Sequence, residues 1–412
     1  MRTFDIPAFY RSHLISRIKQ VRKQADGMKK DFQPTVLDFG TVRFVLARHF
    51  GFCFGVENAI EIIYRALDEN PDKRIFLLSQ MIHNPEVNAD LADRGVQFLF
   101  NTSGAPLTPW EALRPDDVVV VPAFGTTLEM EQRLADLGVD LARYDTTCPF
   151  VEKVWKRSAK LGEEAYTVVI HGKPEHEETR ATFSHAAASA PALVIRDAEE
   201  AEWLCGFIEG RTPWSQFFEV FPDRTSAGFV PERDLVRVGV VNQTTMLASE
   251  TQAISDRIRQ AIEGAQTAGR FANTRDTLCY ATLDNQQATE GALAWGVPDW
   301  AIVVGGYNSS NTSHLVELIE QRAPTYFIHN EKCILDEGDI EHFDLHAGSV
   351  VVSSGPWSQG TPGQVPTVLL TSGASCPDAT VERVLERVLQ CYPGAKTVEE
   401  VWAAWSTQGT AG

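Results

Sequence analysis

The sequence has no long apolar segment. None of its hydrophobic runs approaches the roughly 20 residues that a membrane-spanning helix needs, so we expect no membrane partner. The N-terminus also lacks the apolar core and small-residue cleavage site of a secretory signal. The first thirty residues are basic, but they are poor in serine and include Asp5 and Asp26. We therefore expect a cytoplasmic protein rather than a plastid one.

Positive charge is scarce in this chain. It has 37 lysines and arginines against 55 aspartates and glutamates, which gives a formal net charge of −18. Because proteins draw most of their affinity for a nucleic-acid backbone from Lys and Arg, a general nucleic-acid role is disfavoured. A small anionic substrate is still compatible with this charge, since helix N-termini and neutral donors can form a local anion site.

The seven cysteines include no Cys-x-x-Cys pair. This absence argues against the ligand spacing of a zinc finger or a bacterial ferredoxin. Without a secretion signal, the cysteines are expected to serve as ligands or catalysts rather than in disulfides. Four of them fall outside the motifs described below, namely Cys205, Cys333, Cys376 and Cys391. Cys376, which follows Ser375, is interpreted as a small buried thiol.

Short β-branched runs alternate with helical segments along the chain. The runs occupy 43–48, 118–121, 166–170, 235–241, 301–304, 350–352 and 368–370. This alternation predicts an α/β fold whose parallel sheets are built from βα units. At 412 residues the chain is too long for one ordinary core, which suggests two or three such units. Stretches rich in proline and glycine at 104–115, 205–233 and 353–366 are interpreted as loops or insertions.

Three cysteines share one local context. Cys53 lies in Gly-Phe-Cys-Phe-Gly-Val, Cys148 in Asp-Thr-Thr-Cys-Pro-Phe, and Cys279 in Asp-Thr-Leu-Cys-Tyr-Ala-Thr. Each follows an extended segment and precedes a helical one, which places the thiol near a helix N-terminus. That position lowers the pKa of a thiol and favours the thiolate that a metal requires. One such cysteine in each α/β unit is consistent with three units that converge on one metal centre.

Five further segments make the resemblance to a known family specific. They are His-Asn-Pro-Glu-Val at 83–87, His-Glu-Glu-Thr at 176–179, Asn-Gln-Thr-Thr at 242–245, Asn-Ser-Ser-Asn at 308–311 and Gly-Ala-Ser at 373–375. With these segments and the cysteine motifs in order, residues from about Phe44 to about Leu389 resemble the 4-hydroxy-3-methylbut-2-enyl diphosphate reductases. The chain is similar to the longer plant and cyanobacterial branch of that family, which resembles it around Phe124 and in the insertion around 205–235.

The resemblance implies three α/β domains with mostly parallel sheets, arranged as a trefoil around a central [4Fe–4S] cluster. Cys53, Cys148 and Cys279 would hold the cluster, and the iron without a protein ligand would act as a Lewis acid. The expected domains follow an N-terminal extension and precede a C-terminal tail. Their boundaries are 1–41 for the extension, 42–147, 148–276 and 277–394 for the domains, and 395–412 for the tail.

The resemblance also implies the reaction. The substrate's hydroxyl group would be removed as water with the uptake of two electrons and two protons. The products would be isopentenyl and dimethylallyl diphosphates, at the last step of the methylerythritol phosphate route to isoprenoids. The expected partners are this diphosphate substrate and a ferredoxin or flavodoxin that donates the electrons.

Residue roles follow from the same resemblance. Glu178 matches the family's proton-delivering carboxylate, and Thr244 matches the hydroxyl beside the substrate alcohol. His176, counted among both catalytic and binding residues, matches a histidine that lines the pocket. Residues expected at the substrate and its diphosphate are His83, Ser309, Ser310, Asn311 and Ser375. Neutral donors on glycine-rich loops can surround phosphate oxygens without a Walker lysine. Residues 309–311 could alternatively cap the following helix, which would itself present amides to a phosphate.

One position departs from the family pattern. Where many members have a histidine before a glycine, this chain reads Pro122-Ala123-Phe124-Gly125. A phenylalanine cannot donate a hydrogen bond to a diphosphate. We therefore expect Thr126 or Thr127 to be the substitute donor.

Other functions remain open at this point. A different enzyme with an open iron, such as a quinolinate-synthase-like dehydratase, would explain the cysteines but not the Ser-Asn and Asn-Gln-Thr-Thr segments. A non-catalytic cluster protein that senses oxygen or iron would have no need of Glu178 and Thr244 together. A plain α/β protein with unligated cysteines would be colourless after anaerobic purification, whereas a cluster protein is brown.

A basic stripe follows Cys148. Its members are Lys153, Lys156, Arg157 and Lys160, at spacings that share one face of a helix. The stripe is either a solvated helix face or a docking patch for an acidic ferredoxin or flavodoxin. Long-range attraction of the second kind mainly raises the association rate and weakens with salt.

Overall fold

The chain divides into two units along a discontinuous path. The first unit contains Met1–Glu57, His83–Glu86 and Tyr280–Gly412, and the second contains Asn58–Ile82 and Val87–Cys279. The structure is a computed structural model, and it describes residues 4–28, 30–265, 269–272, 277–336, 338–358 and 364–408. Among these residues, no helix combines the length and the apolar character that a bilayer crossing requires.

The described residues form strands and helices in alternation. The strands are β1 (Thr35–Asp38), β2 (Arg43–Leu46), β3 (Ile75–Leu77), β4 (Gln97–Phe98), β5 (Val118–Val120), β6 (Thr167–His171), β7 (Ala192–Ile195), β8 (Arg237–Asn242), β9 (Arg270–Phe271), β10 (Trp300–Val304), β11 (Thr325–Ile328), β12 (Asp339–Asp344), β13 (Ser349–Ser354) and β14 (Thr367–Ser372). The helices are α1 (Leu14–Ala25), α2 (Phe54–Glu69), α3 (Pro85–Asp93), α4 (Leu128–Asp136), α5 (Pro149–Glu163), α6 (Glu177–Ala187), α7 (Ala198–Ile208), α8 (Phe217–Val220), α9 (Pro231–Asp234), α10 (Ala248–Gly264), α11 (Tyr280–Trp295), α12 (Ser310–Glu320), α13 (Asp378–Leu389) and α14 (Val398–Gln408).

The first unit is built on a seven-stranded sheet in the order β1-β2-β14-β10-β11-β12-β13. Strands β2, β14, β10 and β11 run parallel, and β1, β12 and β13 join in antiparallel pairs. Successive residues of a strand point to opposite faces, so one strand contributes to two cores. In β2, Phe44 and Leu46 enter one core while Val45 enters the other. Burial on both faces explains why the parallel strands are almost entirely apolar.

The second unit contains two smaller sheets. Their orders are β4-β3-β5 and β7-β6-β8-β9, and all neighbouring strands in both are parallel. Strand β6 again serves two cores, since Val169 belongs to one cluster of buried residues while Val168 and Ile170 belong to another. The mixed α/β class with mostly parallel sheets is therefore confirmed.

The strand predictions are confirmed, and their ends differ from the observed ones by at most two residues. The domain boundaries and the trefoil arrangement stay predictions. The stretch around 205–233 is a folded insertion with two short helices, in which Phe207, Phe217 and Phe221 are fully buried. Part of the predicted loop 353–366, namely 359–363, lies outside the described residues.

The N-terminal extension is an integral part of the first unit. Helix α1 places Leu14, Ile15 and Ile18 in the core of that unit. Strand β1 pairs with β2 in antiparallel register from Thr35 to Asp38. The predicted C-terminal tail likewise contains a helix, α14, and Val401 of that helix is buried in the same core.

Candidate functional site

Cys148 lies at the start of α5 in the second unit. It is the N-cap residue of that helix, and Pro149 occupies the first helical position, where its fixed φ is already suitable. The preceding turn is held by Asp145, whose Oδ1 accepts hydrogen bonds from Thr147 N at 2.8 Å and Thr147 Oγ1 at 2.6 Å. The Cys148 N–H donates to Ala123 O at 3.0 Å. Local turn chemistry therefore places this thiol at a helix N-terminus, as expected.

The protonation of Cys148 differs from the expectation. Burial raises the pKa of its thiol to about 12, although the N–H of Phe150 acts in the opposite direction. Negative charge on Cys279 and on Glu178 raises this pKa further. The predicted lowering is therefore wrong for Cys148, because loss of solvent outweighs the helix N-terminus. A buried thiol of this kind binds a metal by exchanging its proton for the cation.

Cys279 lies beside the same group of residues. Its N–H donates to Thr244 O at 3.1 Å, and α11 begins at the next residue. The segment before it is held by Thr277, whose Oγ1 accepts from Asn242 N at 2.7 Å. The second unit therefore brings two of the three predicted cluster ligands together with the Asn-Gln-Thr-Thr segment.

Glu178 is a buried carboxyl group in the first turn of α6. Its side chain is 1% exposed, its Oε1 accepts from Thr244 N at 2.5 Å, and its Oε2 accepts from Thr244 Oγ1 at 3.0 Å. Burial raises the pKa of Glu178 to about 7, while both hydrogen bonds from Thr244 act to lower it. A raised pKa keeps part of this group protonated near neutral pH, as the predicted role of proton donor requires.

His176 is the N-cap residue of α6. Its Nδ1 accepts a hydrogen bond from Glu178 N at 3.2 Å. An accepting Nδ1 carries no proton, so Nε2 carries it in the neutral ring and is the nitrogen that can donate. The ring of Phe124 meets the His176 ring edge to face, with centroids 5.7 Å apart. Phe124, which stands where many family members are expected to have a histidine, thus packs against a predicted pocket histidine.

The predicted role of Glu178 as a proton donor implies that the turnover number falls as the pH rises above about 7. A carboxyl group that delivers a proton must be protonated beforehand, and burial raises the pKa of Glu178 to about 7. Its protonated fraction is highest below that pH and declines about tenfold per pH unit well above it. A kcat profile measured between about pH 5.5 and 9 tests this, and the Glu178→Gln variant should lack the descending limb. A parent profile that stays level beyond pH 8.5 would contradict the assignment.

The segment at 308–311 begins helix α12 in the first unit. Ser309 is the N-cap residue, and its Oγ accepts from Thr312 N at 3.4 Å and Thr312 Oγ1 at 2.9 Å. The predicted capping role is thus confirmed. Asn311 Oδ1 accepts from Ala374 N at 2.9 Å and from Asn285 Nδ2 at 3.3 Å. Its Nδ2 is buried and has no partner among the described residues, which leaves a donor for a ligand.

Ser375 and His83 meet in the same unit. The Ser375 Oγ donates to His83 O at 3.1 Å. Gly306 packs against that carbonyl so closely that an added Cβ would lie 2.4 Å from it. Cys53 N donates to Ala374 O at 3.2 Å, directly beside Ser375. The first unit therefore gathers the predicted diphosphate contacts His83, Ser309, Ser310, Asn311 and Ser375 around the 373–375 turn, together with Cys53.

Thr126 and Thr127 lie at the start of α4 in the second unit. Thr127 is the N-cap residue, and its Oγ1 accepts from Met130 N at 3.3 Å. Thr126 is buried, and its Oγ1 lies 3.4 Å from Met130 Sδ. Both hydroxyl groups thus have local contacts within the helix, and their role as substitute donors to a diphosphate stays a prediction.

Two polar residues of the site were given no role by the sequence analysis, namely Gln243 and Asn285. Gln243 Oε1 accepts from Lys173 N and from Thr179 Oγ1, both at 3.1 Å, and so joins its segment to the start of α6. Asn285 orients Asn311 through the contact described above. Asn285 belongs to a stripe at helical spacing whose members are all buried, namely Thr282, Asn285, Gln286 and Thr289. This polar stripe within the buried face of α11 is the sequence signal from which Asn285 could have been recognised.

A thiolate-held metal centre fits part of this geometry. Cys148 and Cys279 lie in the second unit, close enough for their charges to interact, and Cys53 lies in the first unit. None of the seven cysteines is in a disulfide. Over the described ranges, no group of three or more His, Cys, Asp or Glu side chains is positioned to hold a metal ion. The pair of thiols suits an iron–sulfur cluster, and the three-cysteine ligand set stays a prediction from the family resemblance.

Comparison with known proteins identifies the family. The family model described as LytB protein matches residues 44–389. The chain belongs to the LytB family. LytB relatives named 4-hydroxy-3-methylbut-2-enyl diphosphate reductase include that of Thermosynechococcus vestitus BP-1, 38% identical over 353 residues and 85% of each chain. Another, from Synechocystis sp. PCC 6803, is 36% identical over 92% of this chain and 95% of its own. The resemblance inferred from the motifs is thus confirmed.

A plastid relative and two solved structures extend the comparison. The reductase of Botryococcus braunii, named chloroplastic, is 36% identical over 85% of this chain and 70% of its own. A structure of (E)-4-hydroxy-3-methyl-but-2-enyl diphosphate reductase aligns with a TM-score of 0.51, at 24% identity over 84% of this chain and 99% of that one. The Plasmodium falciparum enzyme aligns with a TM-score of 0.60, at 19% identity over 83% and 86%. At these identities the two structures support the LytB fold alone.

Proposed function

We propose that this chain reduces 4-hydroxy-3-methylbut-2-enyl diphosphate to isopentenyl and dimethylallyl diphosphates, the last step of the methylerythritol phosphate pathway. Membership of the LytB family over residues 44–389 supports this activity, as do relatives of that name that align over most of both chains. The observation that carries the chemistry is the buried Glu178, whose pKa is raised to about 7 beside Thr244. A non-catalytic sensor has no use for such a group.

The cofactor proposed for this reaction is a [4Fe–4S] cluster held by Cys53, Cys148 and Cys279. Its support is the pairing of Cys148 with Cys279 and the helix that follows each of the three cysteines. When bound, the cluster would supply electrons and a Lewis-acidic iron toward the substrate's hydroxyl group. The helix N-termini favour the negative charge of the thiolates once their protons are displaced.

The side chains of the second unit handle the protons. In the balanced reaction two electrons and two protons are taken up and the C–O bond breaks. One proton converts the departing hydroxyl group to water, and the other forms the new C–H bond of the product. Glu178 supplies the proton that converts the departing hydroxyl to water. Thr244 holds the Glu178 carboxyl group with two hydrogen bonds and presents its own hydroxyl beside the substrate alcohol. His176 contributes a donor through Nε2.

The first unit binds the diphosphate. Residues Ser309 and Ser310 stand at the N-terminus of α12, where backbone amides and the helix dipole favour an anion. Asn311 adds its Nδ2 donor. Ser375 and His83 complete the set in this unit. The further hydroxyl proposed for the diphosphate is that of Thr126 or Thr127, which belong to the second unit. Neutral donors of this kind bind a diphosphate despite the net charge of −18.

Anaerobic turnover of the hydroxylated diphosphate tests the function directly. The anaerobically purified protein is supplied with a reduced donor, and both isopentenyl and dimethylallyl diphosphates are quantified. We expect both products and no turnover without the donor. Protein that contains iron and sulfide but forms neither product would favour the sensor or the dehydratase instead.

The proposed electron donor is a ferredoxin or flavodoxin that docks on the basic stripe of α5. Lys156 and Lys160 are 76% and 60% exposed and face solvent along the helix that begins after Cys148. Both lie near carboxylates, since Lys156 Nζ is 2.8 Å from Glu152 Oε2 and Lys160 Nζ is 3.9 Å from Glu164 Oε1. Exposed pairs of this kind contribute little to stability, so these lysines are available to an acidic partner.

Reversing the charge of Lys156 and Lys160 to glutamate should slow ferredoxin-driven turnover about tenfold or more at low salt and flatten its salt dependence. Turnover with a small chemical reductant should be nearly unchanged, because it needs no docking. The same double reversal at Lys73 and Lys396, which are also exposed, is the control for net charge. Equal losses with both reductants would show that the stripe supports the fold or the cofactor.

The cytoplasmic location stays part of the proposal. Named relatives include cyanobacterial proteins and the chloroplastic one of Botryococcus braunii. Fractionation of the source cells with a specific antibody would decide between the two locations.

A further inference from the structure

The segment His83–Glu86 belongs to the first unit, although the residues on both sides of it belong to the second. At its beginning, the backbone carbonyl of His83 contacts Ser375 Oγ and Gly306, as described above. These contacts hold the main chain at His83. Glu86, at the other end of the segment, lies in the first turn of α3 and makes a separate set of contacts within the first unit.

The carboxylate of Glu86 is held by three donor side chains. Thr380 Oγ1 donates to Oε2 at 2.7 Å, and Asn330 Nδ2 donates to Oε1 at 3.0 Å. Arg383 Nη2 lies 3.1 Å from Oε1 and 3.0 Å from Oε2. Charge-assisted hydrogen bonds from several directions fix a carboxylate in place more firmly than a single exposed ion pair does.

Helix α13 connects the two ends of the segment. It starts at Asp378, just after Ser375, and carries Thr380 and Arg383 one turn apart on one face. The chain that contacts His83 through Ser375 therefore continues directly into the helix that holds Glu86. Pro85 adds stiffness between the two ends, because a proline restricts both its own φ and the residue before it.

We propose that Glu86 is a positioning residue for the diphosphate site. Its carboxylate, held by Thr380, Arg383 and Asn330, fixes the His83–Glu86 segment so that the imidazole of His83 is presented to the diphosphate. This inference rests on the proposed function, which makes His83 a diphosphate contact. Glu86 itself touches neither the substrate nor the reacting atoms in this account.

Removal of the Glu86 carboxylate should weaken diphosphate binding and leave the turnover number nearly unchanged. Without Glu86 the segment keeps its contact with Ser375 but loses its anchor on α13, so the His83 contact with phosphate is weakened. A lost hydrogen bond to a charged phosphate reduces affinity about tenfold to a hundredfold. Glu178 lies in the other unit and shares none of the Glu86 contacts, so kcat should stay within about threefold of the parent.

The experiment compares Glu86→Ala and Glu86→Gln with the parent in the anaerobically purified protein. Calorimetry measures the affinity for inorganic diphosphate, and steady-state kinetics gives KM and kcat. We expect the alanine variant to bind diphosphate about tenfold more weakly or worse, with KM raised by a similar factor. The glutamine variant keeps the shape and one accepting oxygen, so its loss should be about threefold. Iron content and the melting temperature should match the parent.

Two further variants identify the cause. Glu331→Ala removes the other carboxylate bonded to Arg383, at 3.0 Å from Arg383 Nε, and should leave diphosphate affinity unchanged. Arg383→Ala combined with Glu86→Ala should be no weaker than the worse single variant, because both act through one contact.

Parent-like diphosphate affinity in both Glu86 variants would overturn the proposal. A fall in kcat together with iron content would overturn it as well, because it would show a structural role. A parent that binds diphosphate but forms neither product would refute the proposed function. The positioning role of Glu86 would still be tested in that case by the diphosphate affinities of its variants.

Discussion

Replacing Glu178 with glutamine should lower the turnover number by about a hundred- to ten-thousand-fold, while the substrate still binds. The amide keeps the size of the side chain and can still accept from Thr244 N, which now bonds to Oε1 at 2.5 Å. It cannot release a proton at neutral pH. Single-turnover kinetics and an independent binding measurement separate the two effects. A turnover number within about threefold of the parent would show that another group delivers the proton.

Glu177 offers a matched control for that experiment. It is the neighbouring carboxylate in the same helical turn, it is also buried, and its Oε1 accepts from Ser79 Oγ. Glu177→Gln therefore makes the same chemical change in nearly the same place without touching Thr244. We expect its turnover to stay within about threefold of the parent. Similar losses in both variants would indicate a shared structural effect on α6.

Changing Cys53, Cys148 or Cys279 to serine should remove most of the iron and acid-labile sulfide and, with them, the activity. A serine hydroxyl is a much poorer ligand than a thiolate for the irons of such a cluster. Iron and sulfide per chain are measured after anaerobic purification, together with the visible absorption spectrum. Near-full retention of both in all three variants would refute the ligand assignment.

Cys391 provides the control for the cysteine series. It is partly exposed, and its Sγ lies 3.9 Å from the carbonyl oxygen of Arg387, one turn earlier in the chain. Serine can make the same local contact, so Cys391→Ser should keep its full complement of iron and sulfide. The same result is expected for Cys205 and Cys333, which are buried and lie outside the three motifs in the sequence.

Several features of the fold could be predicted because they depend on local sequence. The run of apolar residues at β10 has only one reasonable interpretation, since a strand covered on both faces must be apolar throughout. The start of α5 was visible in Cys148 and Pro149, because N-cap and first-turn preferences act over a few residues. The start of α12 at Ser309 was recognised for the same reason.

Other features could not be predicted because they depend on distant residues. The integration of α1 into the first core requires α13, more than 350 residues away, where Glu382 Oε2 accepts from Leu14 N at 2.9 Å. The insertion around Phe217 was expected from the sequence, but its two short helices were not, since they are too short to show a periodicity of their own. The packing of Phe124 on His176 likewise joins positions that no local pattern connects.

The sequence by itself determined the family, the α/β class and the identity of the candidate cysteines and carboxylate, because motifs and strand periodicity are properties of neighbouring residues. Only the tertiary structure decided how those groups are protonated. Burial raises the pKa of Glu178 to about 7 and that of Cys148 to about 12, against the effect expected from a helix N-terminus alone. The tertiary structure also placed His83–Glu86 in the first unit. Solvent exclusion and long-range contacts arise only when the chain has folded, so no local pattern could reveal them.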